Sequence, residues 1–290
     1  AAICIITALP MGLFLSSLKQ KQFEVLSRLL LLPQILPVVF SILIVFSILN
    51  PFPMGSKGIV IMFVVVNLGM CAALIAQAVK TKCLRYAAVS EVFSIGKINF
   101  LFRIVLPIIK TDLLNIYFLV FAFCISSFSI PLIAGGGKGV NLEILIYEKI
   151  FIENSWSSAL SLGVLQTVFV FFIGLLLTDK SYQPAFEKFE NKYLRSYLGA
   201  FVIAAYLLLY IGGYLKGLAA SLPYIEFLSR YTEEIISACL FSLRLLLIYS
   251  VLHFAMLFLW LKDYLNYKKF NPMLSLVSLS TVVVGFAFYL

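Results

Sequence analysis

Chemistry in a protein needs groups that can hold a proton, a metal, a phosphate or an electrophile. The chain has 13 Asp and Glu, one His and five Cys in 290 residues. The cysteines (Cys4, Cys71, Cys83, Cys124 and Cys239) are scattered and odd in number, with no Cys-x-x-Cys pair and no Cys/His cluster. Neither a disulfide framework nor a metal site is expected from them. The stretch Gly135-Gly136-Gly137-Lys138-Gly139 invites comparison with a phosphate-binding loop, but it lacks the spaced first glycine and the Ser or Thr after lysine. It is expected to be a flexible turn. His253 stands alone on an apolar stretch and reads as a hydrogen-bonded packing residue. Arg244 lies inside an apolar run, where it either lines a pathway or reaches a carbonyl or the interface with its long side chain. Ser126, Ser127 and Ser129 lie close together, and small hydroxyl residues let helices approach closely. Packing is the first reading of the serines. Ser126, Ser127 and Arg244 are nonetheless the residues singled out for a transport path.

The elements that must carry these residues are set by composition. Hydrophobic residues make up 62% of the chain, charged residues 12%, and the mean hydropathy is +1.06. Soluble domains hold apolar residues near half and charge near a quarter. The excess excludes a soluble enzyme, a nucleic-acid-binding domain and a disordered chain. A bilayer-crossing helix takes about 20 mostly apolar residues. Candidate spans fall near 1–17, 29–49, 58–79, 111–133, 158–178, 197–215, 235–261 and 270–290. Lipid offers no partner to unpaired backbone groups, and the runs lack the alternation of a barrel, so they are helical. The expected fold class is an all-α membrane protein with about eight transmembrane helices. Pro33 and Pro37 are expected to kink the second span.

The net charge of +9 reads as loop topology rather than as a nucleic-acid signal. Lys19, Lys21, Arg28, Lys80, Lys82, Arg85, Lys97, Arg103, Lys110, Lys180, Lys188, Lys192, Arg195, Lys262, Lys268 and Lys269 fall in one set of alternate loops. Only Lys57, Lys138, Lys149, Lys216 and Arg230 fall in the other. The positive-inside rule places the richer set in the cytoplasm. No loop has room for a catalytic or nucleotide-binding domain. The acids fall in loops or at span ends, Asp112 and Asp179 included, so the buried carboxylates of an ion-coupled carrier are missing. The outer acids Glu143, Glu148, Glu153, Glu226, Glu233 and Glu234 read mainly as a solvated face. The chain begins inside an apolar run without an initiator Met or a basic leader region, so a segment of a longer chain is expected rather than a signal peptide.

The inner region 80–110 is the most informative. Leu84, Ala87, Ala88, Val92 and Ile95 recur at helical spacing with Lys82, Arg85, Ser90 and Glu91 between them. This predicts a short amphipathic helix across the cytoplasmic surface, resting on membrane lipid or docked into a groove of a cytoplasmic partner. The stretch from Tyr86 to Pro107 resembles the EAA loop of permease subunits of binding-protein-dependent type I ABC importers. That pattern is Glu-Ala-Ala, three residues, Gly, nine residues, then Ile-x-Leu-Pro. Ile104, Leu106 and Pro107 match its end, whereas Ala88, Val89, Ser90 and Ser94 stand at the Glu, Ala, Ala and Gly positions. By resemblance, Tyr86, Ala87, Ala88, Val89, Ser90, Glu91, Ser94, Gly96, Arg103, Ile104, Leu106 and Pro107 form the loop gripped by a cytoplasmic ABC ATPase dimer.

A second stretch, Phe123 to Tyr147, resembles the thiamine (thiamine phosphate) transport permease, with ferric-iron and polyamine permeases as looser relatives. The shared features are an aromatic-serine helix end, the triple glycine Gly135-Gly136-Gly137, and Leu142, Glu143, Ile146 and Tyr147. The resemblance implies import driven by ATP and Mg on the ATPase partner, with no cofactor in this chain. A periplasmic or extracellular solute-binding protein would dock near 134–157 and 216–234, and the location would be the bacterial inner membrane. It also implies two fused halves: residues 1–196 as a first half without its first helix, and 197–290 as the start of a second. A stand-alone carrier and a membrane-embedded enzyme are the rival classes, each lacking the intramembrane acids or converging His that it would need.

Overall fold

The computed structural model describes residues 1–93, 95–176, 196–221 and 231–264. Ser94, the basic residues Lys180, Lys188, Lys192 and Arg195, Asp179, Glu226, Arg230, Lys268, Lys269 and the 270–290 candidate span lie outside the described residues. Within the described residues the chain is all helix and turn, with no strand. The helices are α1 (Ala2–Ser16), α2 (Gln20–Leu30), α3 (Leu32–Ile35), α4 (Val38–Ile48), α5 (Ser56–Val92) and α6 (Lys97–Phe100). A π-helical turn, Leu101–Val105, leads into α7 (Leu106–Ile125). Then come α8 (Ser129–Gly135), α9 (Leu142–Phe151), α10 (Trp156–Leu176), α11 (Tyr197–Ser221) and α12 (Thr232–Tyr264).

Five stretches among the described residues are long and apolar enough to cross a membrane: Ser56–Cys83, Lys97–Ile125, Trp156–Ile173, Tyr197–Gly217 and Thr232–Val251. The expected count of eight is not reached within those residues. The span expected at 29–49 is replaced by three short helices. Pro33 starts α3, and Leu36 takes an extended conformation (φ −70°, ψ 146°) ahead of Pro37, which opens α4. A residue before proline is pushed out of the helical region, so the pair breaks the helix rather than kinking it. The span expected at 111–133 shifts to Lys97–Ile125. The helix across the cytoplasmic surface is also corrected: α5 continues unbroken to Val92, because 80–92 contains neither Gly nor Pro and is rich in good helix formers.

The chain forms two compact units. In the first, whose described residues run to Tyr214, α1 lies along α5. Cys4 Sγ is 3.4 Å from Cys71 Sγ, and Met11, Leu15, Ala72, Ile75, Ala76 and Val79 are fully enclosed. Gly69 and Gly199 allow backbones to touch. A Cβ at Gly69 would overlap the Leu30 carbonyl, and one at Gly199 the Pro10 carbonyl. Small residues at crossings are how membrane helices gain packing when lipid is as apolar as their side chains. Tyr206 of α11 donates from its hydroxyl to the Val65 carbonyl at 2.9 Å, and Gln34 Nε2 donates to Asn67 Oδ1 and the Val66 carbonyl at 3.2 Å. These side chains are polar ties inside an apolar bundle. The described part of the second unit is the end of α11 and α12, whose candidate span Thr232–Val251 has no buried residue.

Candidate functional site

Two places gather the residues singled out from the sequence. The first is the hairpin of α5 and the continuous helix from Lys97 to Ile125. Residues 84–92 extend α5 about 13 Å beyond Cys83 at 1.5 Å per residue. Phe93 ends the helix in a turn, and the Ile95 amide donates to the Ser90 carbonyl at 3.1 Å. Gly96 opens α6, its carbonyl accepting from the Phe100 amide at 2.9 Å.

Ser90 is buried and donates from its hydroxyl to the Tyr86 carbonyl at 2.8 Å, so it faces the hairpin rather than a partner. By contrast Tyr86 is 51% exposed, Phe93 71%, Ile98 74% and Phe102 63%. Ile98 and Phe102 belong to the apolar stretch Lys97–Ile125, whereas Tyr86 and Phe93 lie beyond Ser56–Cys83, and large exposed apolar side chains there are the kind that mark a contact surface. Ala87, Ala88, Val89 and Glu91 are helical in backbone, but their side chains lie outside the described residues, as do those of Leu84, Arg85 and Val92.

The matching end of the loop motif has a local structure that the sequence pattern does not announce. The Leu106 amide bonds the Leu101 carbonyl, five residues back, and Leu101–Val105 form the π-turn. Pro107 follows immediately; proline donates no hydrogen bond and crowds the carbonyl four residues before it. A widened turn accommodates that ring without breaking the helix, and such turns gather at functional sites. Arg103 and Pro107 are exposed, and Ile104 and Leu106 half-buried. An ion pair ties the two helices of the hairpin inside their apolar stretches, which corrects the expectation that Asp112 sits at a span end: Lys82 Nζ lies 2.7 Å and 2.5 Å from the two carboxylate oxygens of Asp112. This pair was not legible, because its members are widely separated in sequence and belong to different helices.

The second place is the C-terminal end of α7 with α8, α9 and α10. The helix stops at Ser126, and the chain re-forms as α8 at Ser129. The Ser126 hydroxyl is buried without a hydrogen-bond partner. Gly136 and Gly137 have φ of +53° and +74°, the left-handed region that favours glycine, and Gly136 caps α8. The triple-glycine stretch is thus a defined helix end, with Lys138 exposed beyond it.

Asn141 begins α9. Its Oδ1 accepts from the Ile144 amide at 3.0 Å, while its Nδ2 donates to the Ser127 carbonyl at 2.6 Å. Glu143 is fully buried and accepts from Gln166 Nε2 of α10 at 2.8 Å. The solvated-face reading therefore fails for Glu143, because α9 turns it inward onto α10. Glu153 pairs with Lys149 at 2.6 Å on the surface, and Glu233 and Glu234 are exposed. Phe128, Tyr147 and Phe151 form a run of ring contacts, at 5.3 Å and 4.8 Å between centroids, with Tyr147 and Phe151 on the same helix as Glu143.

Sequence reasoning missed Asn141 and Gln166. An Asn before an acid in a first helical turn is a start signal, and a glutamine inside an apolar run is the kind of polar residue that joins membrane helices. Arg244 is exposed on α12, in the second unit, and the side chain of His253 lies outside the described residues. Among the described residues no three His, Cys, Asp or Glu side chains could hold a metal together.

No characterised protein and no solved structure matches the chain significantly. A family model does: binding-protein-dependent transport system inner membrane component, over residues 8–183. That stretch takes in the hairpin, the π-turn, the broken α7 end and the Glu143–Gln166 pair. The chain belongs to the family of binding-protein-dependent transport system inner membrane components, the permeases of transporters and not enzymes.

Proposed function

We propose that this chain is the permease of an ATP-driven importer in the bacterial inner membrane, taking thiamine or its phosphates from a solute-binding protein. The observation that carries the proposal is the hairpin tip. α5, long and apolar enough over Ser56–Cys83 to cross a membrane, runs on to Val92, with Tyr86 and Phe93 exposed at its end and Ile98 and Phe102 exposed on the helix that follows. Family membership implies an ABC ATPase and a binding protein as partners in general. The hairpin is the element with the reach and the apolar surface to meet an ATPase. ATP and Mg act on that partner; this chain supplies a path and a lever. ATP binding draws the hairpin with the closing ATPase dimer, the helices rotate from inward- to outward-open, and hydrolysis resets them.

Support for thiamine comes from the likeness of Phe123–Tyr147 to thiamine permeases. A cationic aromatic solute suits a region where rings and acids lie close together. In this reading Ser126 and Ser127 lie along the path and Arg244 belongs to it. Residues 1–196 form a first half and 197–290 the start of a second. The test is uptake into proteoliposomes holding the full chain with its ATPase and binding protein. ATP-dependent entry of labelled thiamine or thiamine phosphate supports the substrate. Entry of ferric iron or a polyamine instead, with thiamine excluded, overturns the substrate and leaves the importer standing.

A further inference from the structure

The tip of the hairpin can transmit force only if its base does not bend. Two lysines at that base face different neighbours. Positions two apart on an α-helix lie about 200° apart around its axis, so Lys80 and Lys82 leave α5 on nearly opposite sides. Lys80 Nζ sits 4.1 Å from the centroid of the Phe23 ring and 3.4 Å from Gln20 Oε1, both on α2. Lys82 Nζ meets both oxygens of Asp112 on α7, with side-chain exposures of 24% and 17%. The base of the arm is therefore held from two sides. The Asp112 side ties the two strokes of the hairpin to each other by charge, beside the direct apolar packing of α5 against α7.

We propose that Lys82 and Asp112 are positioning residues for transport: their ion pair is a strut that makes the α5–α7 arm one rigid body. A push on the tip is then converted into movement of α5, and with it of α1, which lies along α5. The inference rests on the reading of the hairpin as the ATPase contact. Partial burial and two-oxygen geometry set this pair apart from an exposed pair, which holds its partners only weakly. Without the strut, the arm flexes at its base, and ATP is spent without moving the bundle.

The experiment uses the full chain with its ATPase and binding protein in proteoliposomes, and reads substrate transported per ATP hydrolysed. A merely structural role lowers transport and hydrolysis together and leaves that ratio alone. Lys82→Met and Asp112→Asn are each expected to cut the ratio about tenfold, the size of a coupling term of 1–2 kcal/mol, while hydrolysis stays within about twofold. Asp112→Glu, which keeps the pair, retains the ratio, and the exchange of Lys82→Asp with Asp112→Lys restores most of it. An unchanged ratio in both single variants overturns the strut.

A second measurement needs no ATPase: amide hydrogen exchange of the full chain in nanodiscs. Asp112→Asn is expected to speed exchange in 84–93 by about tenfold while α1 keeps its wild-type protection. Equal protection of 84–93 in variant and wild type overturns the strut even where transport variants assemble poorly. A faster-exchanging arm in Asp112→Asn, together with a wild-type chain that binds no ATPase, upholds the strut and sinks the importer reading instead.

Discussion

Asn141 holds two segments with one side chain. Its oxygen caps α9, and its amide ties that cap to the Ser127 carbonyl where α7 ends. Replacing a capping Asn by Ala costs about 1 kcal/mol. Asn141→Ala is expected to raise amide exchange at 142–146 about fivefold, with α1 and α5 unchanged; equal exchange would show that the cap carries no weight. Gly199 belongs to the same scale. Its missing Cβ admits the Pro10 carbonyl and the Phe14 side chain, whereas a Cβ at Gly212 meets nothing within 4 Å. Gly199→Leu is expected to cost more than about 2 kcal/mol by overpacking and to lower the melting temperature in detergent. Gly212→Ala is neutral or slightly stabilising, since alanine is the better helix former. These residues were poorly legible in the sequence. A glycine in an apolar run looks the same whether it faces a backbone or lipid, and Glu143 looks the same on a wet face as against Gln166.

At the scale of elements, long apolar runs were legible and their punctuation was not. Ser56–Cys83, Trp156–Ile173, Tyr197–Gly217 and Thr232–Val251 lie where hydropathy puts them, because lipid leaves a long apolar run no alternative to helix. The boundaries failed where local backbone chemistry outweighs hydropathy: Pro37 breaks a run that is apolar enough to span, and 80–92, helical as expected, continues α5 instead of forming a separate helix. The motif ending in Pro107 was legible as letters, while the π-turn before it arises from what the proline ring does to the preceding turn. The continuity of α5 carries a prediction. Ala87→Pro removes a helix hydrogen bond and clashes one turn back, at about 3 kcal/mol or more. The variant is expected to insert and keep the α1–α5 core but to lose ATP-dependent uptake, while Ala87→Leu keeps it. Uptake by Ala87→Pro at the wild-type rate would show that the arm need not be continuous.

For the whole molecule, the family match and the apolar helices agree on a membrane component of a binding-protein-dependent transport system. The ion pairs Lys82–Asp112 and Lys149–Glu153 join helix to helix and a helix end to its following turn. The account depends on what meets the hairpin tip. The most direct measurement is affinity purification of the full-length chain from native membranes in mild detergent, beside a variant carrying Phe93→Asp and Ile98→Asp. Co-purifying proteins are identified by mass spectrometry. The account predicts an ATPase with a Walker motif alongside the wild-type chain and its loss from the variant, which still inserts because both positions are exposed. Repeated recovery of the wild-type chain without an ATPase, under conditions that keep other ABC complexes intact, would contradict it, as would equal recovery of the ATPase with both chains.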